Sequence, residues 1–456
     1  MTSALDGGAV AYADALRALT ERGRYGVRLG LGRIRGLLRE LGDPQVGIRG
    51  ALVAGTNGKG SVIALASSAL RAAGRRVGET PKPHLVSYRE RIVVDGRPIE
   101  PEAFARLVER VLSVADRVAR RRGEPTEFEL LTAAIFLHFA EVGLDVALVE
   151  VGLGGRLDAT HAWDGGVAVV TNVGLDHQEQ LGPTVEAIAR EKAAIIERGD
   201  RAVTGADGSA LAIVRRRAAR LGVPLTVASP APIVAVRRDG IEVDLSGLGP
   251  TSVGLRGRHQ AANVAVADAL LDALEAAGIA AADAGARRRG YADARWPGRL
   301  ELLTVPGPDG RPTDVLLDGA HNPAGAATLA IALDDLRPFL VPAPPAPLTL
   351  VWASMADKDV AGTAASMVRS PALRGVRVVC TRVDAPRALD PAALAAVWRS
   401  ADPGLQLATA ATPDAALEQA LRTAPGPVVV AGSLYLVGAA RARLVPDPEL
   451  QDPVPA

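Results

Sequence analysis

The sequence predicts an α/β chain built on doubly wound, parallel sheets. Short apolar runs alternate with helical stretches, and one run feeds a Gly-rich turn that opens a helix. The apolar runs are residues 51–54, 146–149, 167–171, 315–317, 348–352, 376–379 and 428–430. Ahead of the first, an amphipathic helix is expected over roughly 27–42, with Leu29, Ile34, Leu37, Leu38 and Leu41 at helical spacing. The strand Ala51–Ala54 then runs into Gly55-Thr56-Asn57-Gly58-Lys59-Gly60-Ser61, followed by a helical run from Val62 to about Ala73. Residues 232–256 differ, with short alternating strands and many glycines, and read as a small β insertion. A long helical stretch over about 259–290 precedes Trp296-Pro297-Gly298, and a fresh α/β series follows. The expected domains are therefore residues 1–296 and 297–456. The prolines between 338 and 347 mark a surface loop inside the second.

Composition excludes several classes. With 456 residues, 48% of them hydrophobic, the chain can bury a sizeable core, yet no uninterrupted apolar run is long enough for a membrane span. The N-terminus lacks a basic stretch followed by an apolar run and does not read as a signal peptide. Cys380 is the single cysteine, which rules out an internal disulfide and fits a reducing, cytoplasmic compartment. Lys+Arg 52 against Asp+Glu 51 leaves no basic excess for a nucleic-acid footprint, and 3% aromatics leave little for base stacking.

The turn at Gly55 carries the first chemistry. Glycines let backbone N–H groups close on a phosphate, and a helix N-terminus adds positive potential. Lys59 would neutralise β/γ-phosphates and the Ser61 hydroxyl would sit near magnesium. The loop is a shortened P-loop, so the first domain is expected to be P-loop-type and the smaller second one Rossmann-like.

Beyond this loop the chain resembles the folylpolyglutamate synthase/dihydrofolate synthase family within the wider Mur ligases. The shared runs are AGTNGKGS (54–61), PHLVSYRERI (83–92), TEFELLTA (126–133), EVGLGGRLDAT (150–160), GLDHQEQLG (174–182), REKA (190–193), GRHQAANV (257–264), WPGRLE (296–301), DGAHNP (318–323) and MADKD (355–359). Their order extends from residue 28 to AGSLYLVG (431–438). The resemblance implies an ATP-dependent amide ligase. ATP phosphorylates a carboxylate on dihydropteroate or a reduced folate, and L-glutamate's amine displaces phosphate from the acyl phosphate. It also implies Mg²⁺, a monomer, and no membrane or nucleic-acid partner.

Residue by residue, the resemblance makes Ser61, Glu150 and His177 magnesium ligands. Gly55, Thr56, Asn57, Gly58, Lys59, Gly60, Ser61, Asn263, Arg299, Asp318 would hold the nucleotide, the last three from around an interdomain cleft. Lys59, Lys192 and His321 are the expected catalytic residues, Lys192 matching a lysine often carbamylated in the group. Asp357-Lys358-Asp359 would help His321 place glutamate or the acyl phosphate. Leu29, Gly30, Thr126, Phe128, Glu129, Leu157, Asp158 and Ala159 are implied at the pterin site. Two positions depart. Lys82 stands where the family has a metal-ligating Ser, and an ammonium has donors only. His161 stands in place of an Asn. Of the six histidines, only His138, in the apolar run IFLHFAE, reads as structural.

Three other readings stay open at this point: a cell-wall Mur ligase, a P-loop ATPase switch, and a catalytically impaired homologue used as a binding module. Against the first, only 54 residues precede Gly55, too few for a UDP-sugar domain. Whether the first glutamate, later ones or both are added is not legible.

Overall fold

Strand Gly50–Ala54, fully buried, lies inside an eight-stranded sheet and pairs in parallel with Val146–Glu150 on one side and Gly166–Val170 on the other. Val77–Thr80 continues the parallel sheet beyond Val146–Glu150, and Arg201–Thr204 and Leu225–Val227 extend it beyond Gly166–Val170. An antiparallel ribbon, Val93–Val94 and Arg97–Pro98, closes one edge. The central strands are continuous apolar runs because helices cover both faces of such a sheet. The chain is seen here as a computed structural model that describes residues 2–22, 28–307 and 310–452.

Parallel pairing has one functional consequence. The turns after residues 54, 80, 150 and 170 all leave from the same, C-terminal edge, where α/β sheets place their ligands. Helix Lys59–Ala72 starts at that edge and is buried from Ser61 to Leu70. Helix Ala284–Asp293 packs against it so closely that a Cβ on Gly290 would lie 2.3 Å from the Ala69 Cα. Only a glycine lets the two backbones meet there. The core around this sheet joins Leu52, Ala54, Leu130, Phe136, Val149 and Val170.

A second sheet of six strands runs Glu301–Pro306, Pro312–Leu317, Val428–Ala431, Thr349–Trp352, Arg377–Cys380, Gln406–Thr409. All neighbours are parallel except the first pair. Its core centres on Leu316, Leu350, Trp352, Val378, Trp398 and Val429. Mixed α/β architecture with two wound sheets is thus what the alternating pattern predicts.

Packing divides the chain into two units, Met1–Ala231 with Ala262–Asp293 and Glu449–Ala456, and Pro232–Ala261 with Ala294–Pro448. The three-stranded sheet Ile233–Arg237, Gly240–Leu245 and Gly249–Val253, placed by sequence in the first domain, groups with the second unit. The reason is a set of polar contacts between residues distant in sequence. Arg238 donates to both oxygens of Asp314 at 2.6 and 2.8 Å, and Arg256 reaches the Leu300 carbonyl at 3.2 Å. The expected helix over 27–42 is shorter, Gly32–Glu40, which leaves Leu29 outside it. The stretch expected as one helix over 259–290 is two, Gln260–Ala276 and Ala284–Asp293. No described helix is long and apolar enough to cross a membrane.

Candidate active site

The Gly-rich turn is held rigidly by its neighbour strand. Gly55 has φ +155°, and a Cβ there would lie 1.8 Å from Thr171 Oγ1, which donates to the Asn57 carbonyl at 2.6 Å. Asn172 takes the Asn57 N–H on its side chain (2.9 Å) and the Thr56 N–H on its carbonyl (3.0 Å). Gly58, in the left-handed region at φ +81°, precedes the helix, and its α-carbon faces Asn263 Oδ1. Asn263 therefore meets the loop within the first unit.

Replacing Gly58 with alanine is expected to weaken ADP binding at least about tenfold, because the new Cβ would sit 2.3 Å from Asn263 Oδ1 in a backbone conformation that L-residues avoid. Calorimetric titration with ADP reads this directly. Affinity equal to that of the unaltered chain would mean the loop relaxes without cost.

Two lysines converge on the turn. Lys59 Nζ donates to the carbonyls of Gly55 (3.1 Å) and Thr56 (3.3 Å), and stands 3.8 Å from Glu150 Oε1. Lys192, in the last turn of helix Val185–Ala193, is buried and donates to the same Gly55 carbonyl at 2.9 Å. Burial, reinforced by the Lys59 charge, pulls its amine down to about 7, against the opposing pull of Asp176 and Asp158. Gly55, Thr56, Lys59, Gly152, Leu153, Gly154, Asp176, His177, Leu181 and Lys192 line one pocket.

Glu150 ends its strand at the edge of this pocket. Its N–H is taken by Thr80 Oγ1, and its Oε2 by the Lys82 backbone N–H at 3.1 Å, which leaves Oε1 turned towards Lys59. His177 is exposed, with φ +49°, at the start of helix Gln178–Leu181, and its Nε2 lies 3.8 Å from Asp176. Ser61 is buried in the first turn of its helix. Among the described residues, no three His, Cys, Asp or Glu side chains gather tightly enough to hold a metal by themselves. A hydroxyl, one carboxylate and an imidazole fit an ion that keeps waters and substrate phosphates in its shell, as Mg²⁺ does.

Lys82 turns inward. Its Nζ donates to the Glu150 carbonyl at 2.6 Å and sits 4.4 Å from the centre of the Phe128 ring. Desolvation holds its amine down at about 8, against the pull of Asp158 and Glu150.

At the expected pterin site, several polar atoms serve local structure. Thr126 and Glu129 form a reciprocal capping box on helix Glu127–Val142, and Glu129 also receives Arg33 at 2.9 Å. Asp158 is buried, with its oxygens taken by the N–H groups of Leu153 and Thr160 and by the Thr160 hydroxyl. Gly30 N–H reaches the Leu157 carbonyl at 3.3 Å, which ties exposed Leu29 to the loop carrying Leu157 and buried Ala159. Phe128 remains partly accessible beside Gly152.

Arg299, Asp318 and His321 belong to the second unit. Asp318 receives the N–H groups of Leu300 and Ala320, both at 2.9 Å, so it organises the turn after strand Pro312–Leu317. Its pKa is raised by burial and opposed by Arg299. His321 Nδ1 lies 2.8 Å from the Gly319 carbonyl, and Asn322 caps the following helix. Lys82, Thr171 and Asn172 are the residues that motif reading undervalued. Only the shape of the turn reveals the last two.

Residues 53–271 match the family description "Mur ligase middle domain", and residues 303–442 match "Dihydrofolate synthetase, C-terminal domain". The chain is 36% identical to the dihydrofolate synthase/folylpolyglutamate synthase of Mycobacterium tuberculosis, over 92% of this chain and 91% of that one. It is 37% identical to a probable bifunctional folylpolyglutamate synthase/dihydropteroate synthase of Haloferax volcanii over 94% of its own length, but spans only 50% of that relative. Among solved structures, the folylpolyglutamate synthase of Mycobacterium tuberculosis complexed with ADP superposes with a TM-score of 0.83 at 32% identity, covering 97% of this chain and 100% of the other.

Proposed function

The chain belongs to the folylpolyglutamate synthase/dihydrofolate synthase family of Mur-type ligases, and from that premise we propose that it joins L-glutamate to dihydropteroate, a reduced folate or both, at the expense of ATP. The observation that carries the proposal is the convergence of Lys59, Lys192 and the Glu150 carboxylate on the Gly55 turn.

Phosphoryl transfer needs positioning and charge more than covalent help from the protein. The Gly55–Ser61 backbone and the helix N-terminus cradle the phosphates, while Lys59 faces the charge that builds on the transferred group. A carboxylate oxygen of the acceptor attacks the γ-phosphorus, and ADP leaves. The amine nitrogen of glutamate then attacks the acyl carbon, phosphate departs, and the nitrogen sheds a proton. Ser61, Glu150 and His177 would hold Mg²⁺, which supplies a Lewis acid for the phosphate oxygens. Asn263 would contribute to the nucleotide site, and the family resemblance also gives Arg299 and Asp318 a nucleotide role and His321 a catalytic one. Leu29, Gly30, Phe128 and Leu157 offer the acceptor an apolar lip around Asp158. The enzyme acts as a cytoplasmic monomer.

The test is phosphate release from ATP and Mg²⁺ with L-glutamate, comparing dihydropteroate with a reduced monoglutamyl folate. Turnover with both means a bifunctional enzyme, and turnover with one assigns it. No turnover with either, while ADP still binds, would sink the folate reading.

A further inference from the structure

Of the 52 basic residues in the chain, 48 are arginines, and the four lysines are Lys59, Lys82, Lys192 and Lys358. A chain that meets almost every need for positive charge with arginine keeps lysine where a planar guanidinium fails. A compact, tetrahedral ammonium can cap a backbone carbonyl and still present donors beyond it. Three of the four lysines do the first of these things. Lys59 and Lys192 cap Gly55, and Lys82 caps Glu150.

Lys82 differs from the other two in what surrounds it. Among the described residues its Nζ makes one hydrogen bond, to the Glu150 carbonyl. The neighbouring carboxylates do not use its other donors. Asp158 accepts from three local donors and not from Lys82, and Glu150 Oε2 takes the Lys82 backbone N–H instead. Two N–H bonds of the ammonium thus have no protein acceptor among the described residues and are open to a ligand oxygen. The residue is partly accessible, so a ligand can reach it. Its other contact is the Phe128 ring, which lies against Gly152. Lys82 therefore stands between the end of the strand that carries Glu150 and the Phe128 ring.

We propose that Lys82 binds the acceptor: its ammonium, tethered between the Glu150 carbonyl and the Phe128 ring, takes an oxygen of the acceptor's aryl carboxylate, the group to be phosphorylated. Held there, the carboxylate has its second oxygen available to the γ-phosphorus, and its charge is balanced without closing the metal site on Glu150. This assignment rests on the amide-ligase reading given above.

The experiment compares the unaltered chain with Lys82→Met by calorimetric titration, using dihydropteroate, its analogue lacking the carboxylate, and ADP. Loss of a charge-assisted hydrogen bond is expected to weaken dihydropteroate binding by about ten- to a hundredfold. The carboxylate-free analogue should bind both chains equally, and ADP affinity should stay within about twofold. Lys82→Gln, which keeps a donor and the reach, serves if the methionine variant does not fold. Equal loss for the carboxylate-free analogue would make Lys82 a packing residue and overturn the proposal. So would loss of ADP affinity alone, or no change at all. If the unaltered chain turns over dihydropteroate yet binds the carboxylate-free analogue as tightly, only the Lys82 assignment falls. If that chain neither binds nor turns over dihydropteroate or a reduced folate, the functional reading falls with it.

Discussion

Replacing Lys59 with methionine is expected to lower ATP-dependent turnover by about a hundred- to a thousandfold, the usual cost of removing one preorganised charge donor from a transition state. Methionine keeps the length and apolar stem of the side chain, so the helix that begins at residue 59 should survive. What disappears is the ammonium between two loop carbonyls and the Glu150 carboxylate. The loss should appear mainly in kcat, because charge on the migrating phosphoryl group grows only as the transition state forms. Arginine should not rescue it. Its longer, planar head cannot sit between the Gly55 and Thr56 carbonyls and leave the turn open for phosphates. Phosphate release at saturating ATP, with circular dichroism to check the fold, decides the matter. A methionine variant within tenfold of its parent would remove Lys59 from the chemistry.

How much of this was legible in the sequence depended on the range of the interaction that fixes each element. All seven apolar runs read as strands lie in sheets, because central parallel strands are buried on both faces and must be apolar. Strands such as Val77–Thr80, with Glu79, and Gln406–Thr409 escaped that criterion, since polar or edge positions break the apolar run. The break between the two helices over 260–293 is marked by Gly278, at φ +66° after the first helix, and by Asp283, which takes the Ala286 N–H at the start of the second, but both sit in an alanine-rich stretch with no proline that reads as continuous helix. The β insertion was visible as strands, but its grouping with the second unit depends on Arg238 meeting Asp314, 76 residues away. Site residues followed the same rule. Lys59 and Lys192 stood out by motif and do share the Gly55 carbonyl. Thr126 and Glu129 were singled out for a substrate role, yet the S/T-x-x-E spacing of a capping box was already written in Thr126–Glu129. For Lys82, sequence could mark the oddity without saying which way the side chain turned.

Lys192→Met is expected to raise the melting temperature while abolishing most activity, because the amine is held in a form that costs stability. Its pKa is about 7 in the folded chain against 10.5 when exposed, with desolvation the main cause. Between those values the unfolded chain binds more protons, so folding stability rises with pH through that window. Below about 7 the whole penalty is present. The methionine variant removes it, so its advantage in melting temperature should be largest at pH 6–7 and shrink towards pH 10. A constant advantage would point to packing instead of charge. Activity should move oppositely. An amine with a pKa near 7 is substantially neutral at physiological pH, and its lone pair can attack CO₂, form an N–C bond and release a proton. The resulting carbamate puts an anion near Lys59, able to order water or a metal. Lys192→Ala should therefore be inactive, and excess acetate, entering the vacated space, should restore part of the turnover. Failure of acetate at any concentration, with the alanine variant folded, would leave Lys192 acting through its ammonium on the Gly55 carbonyl. In that case Lys192→Arg, which keeps the charge, should be the variant that retains activity.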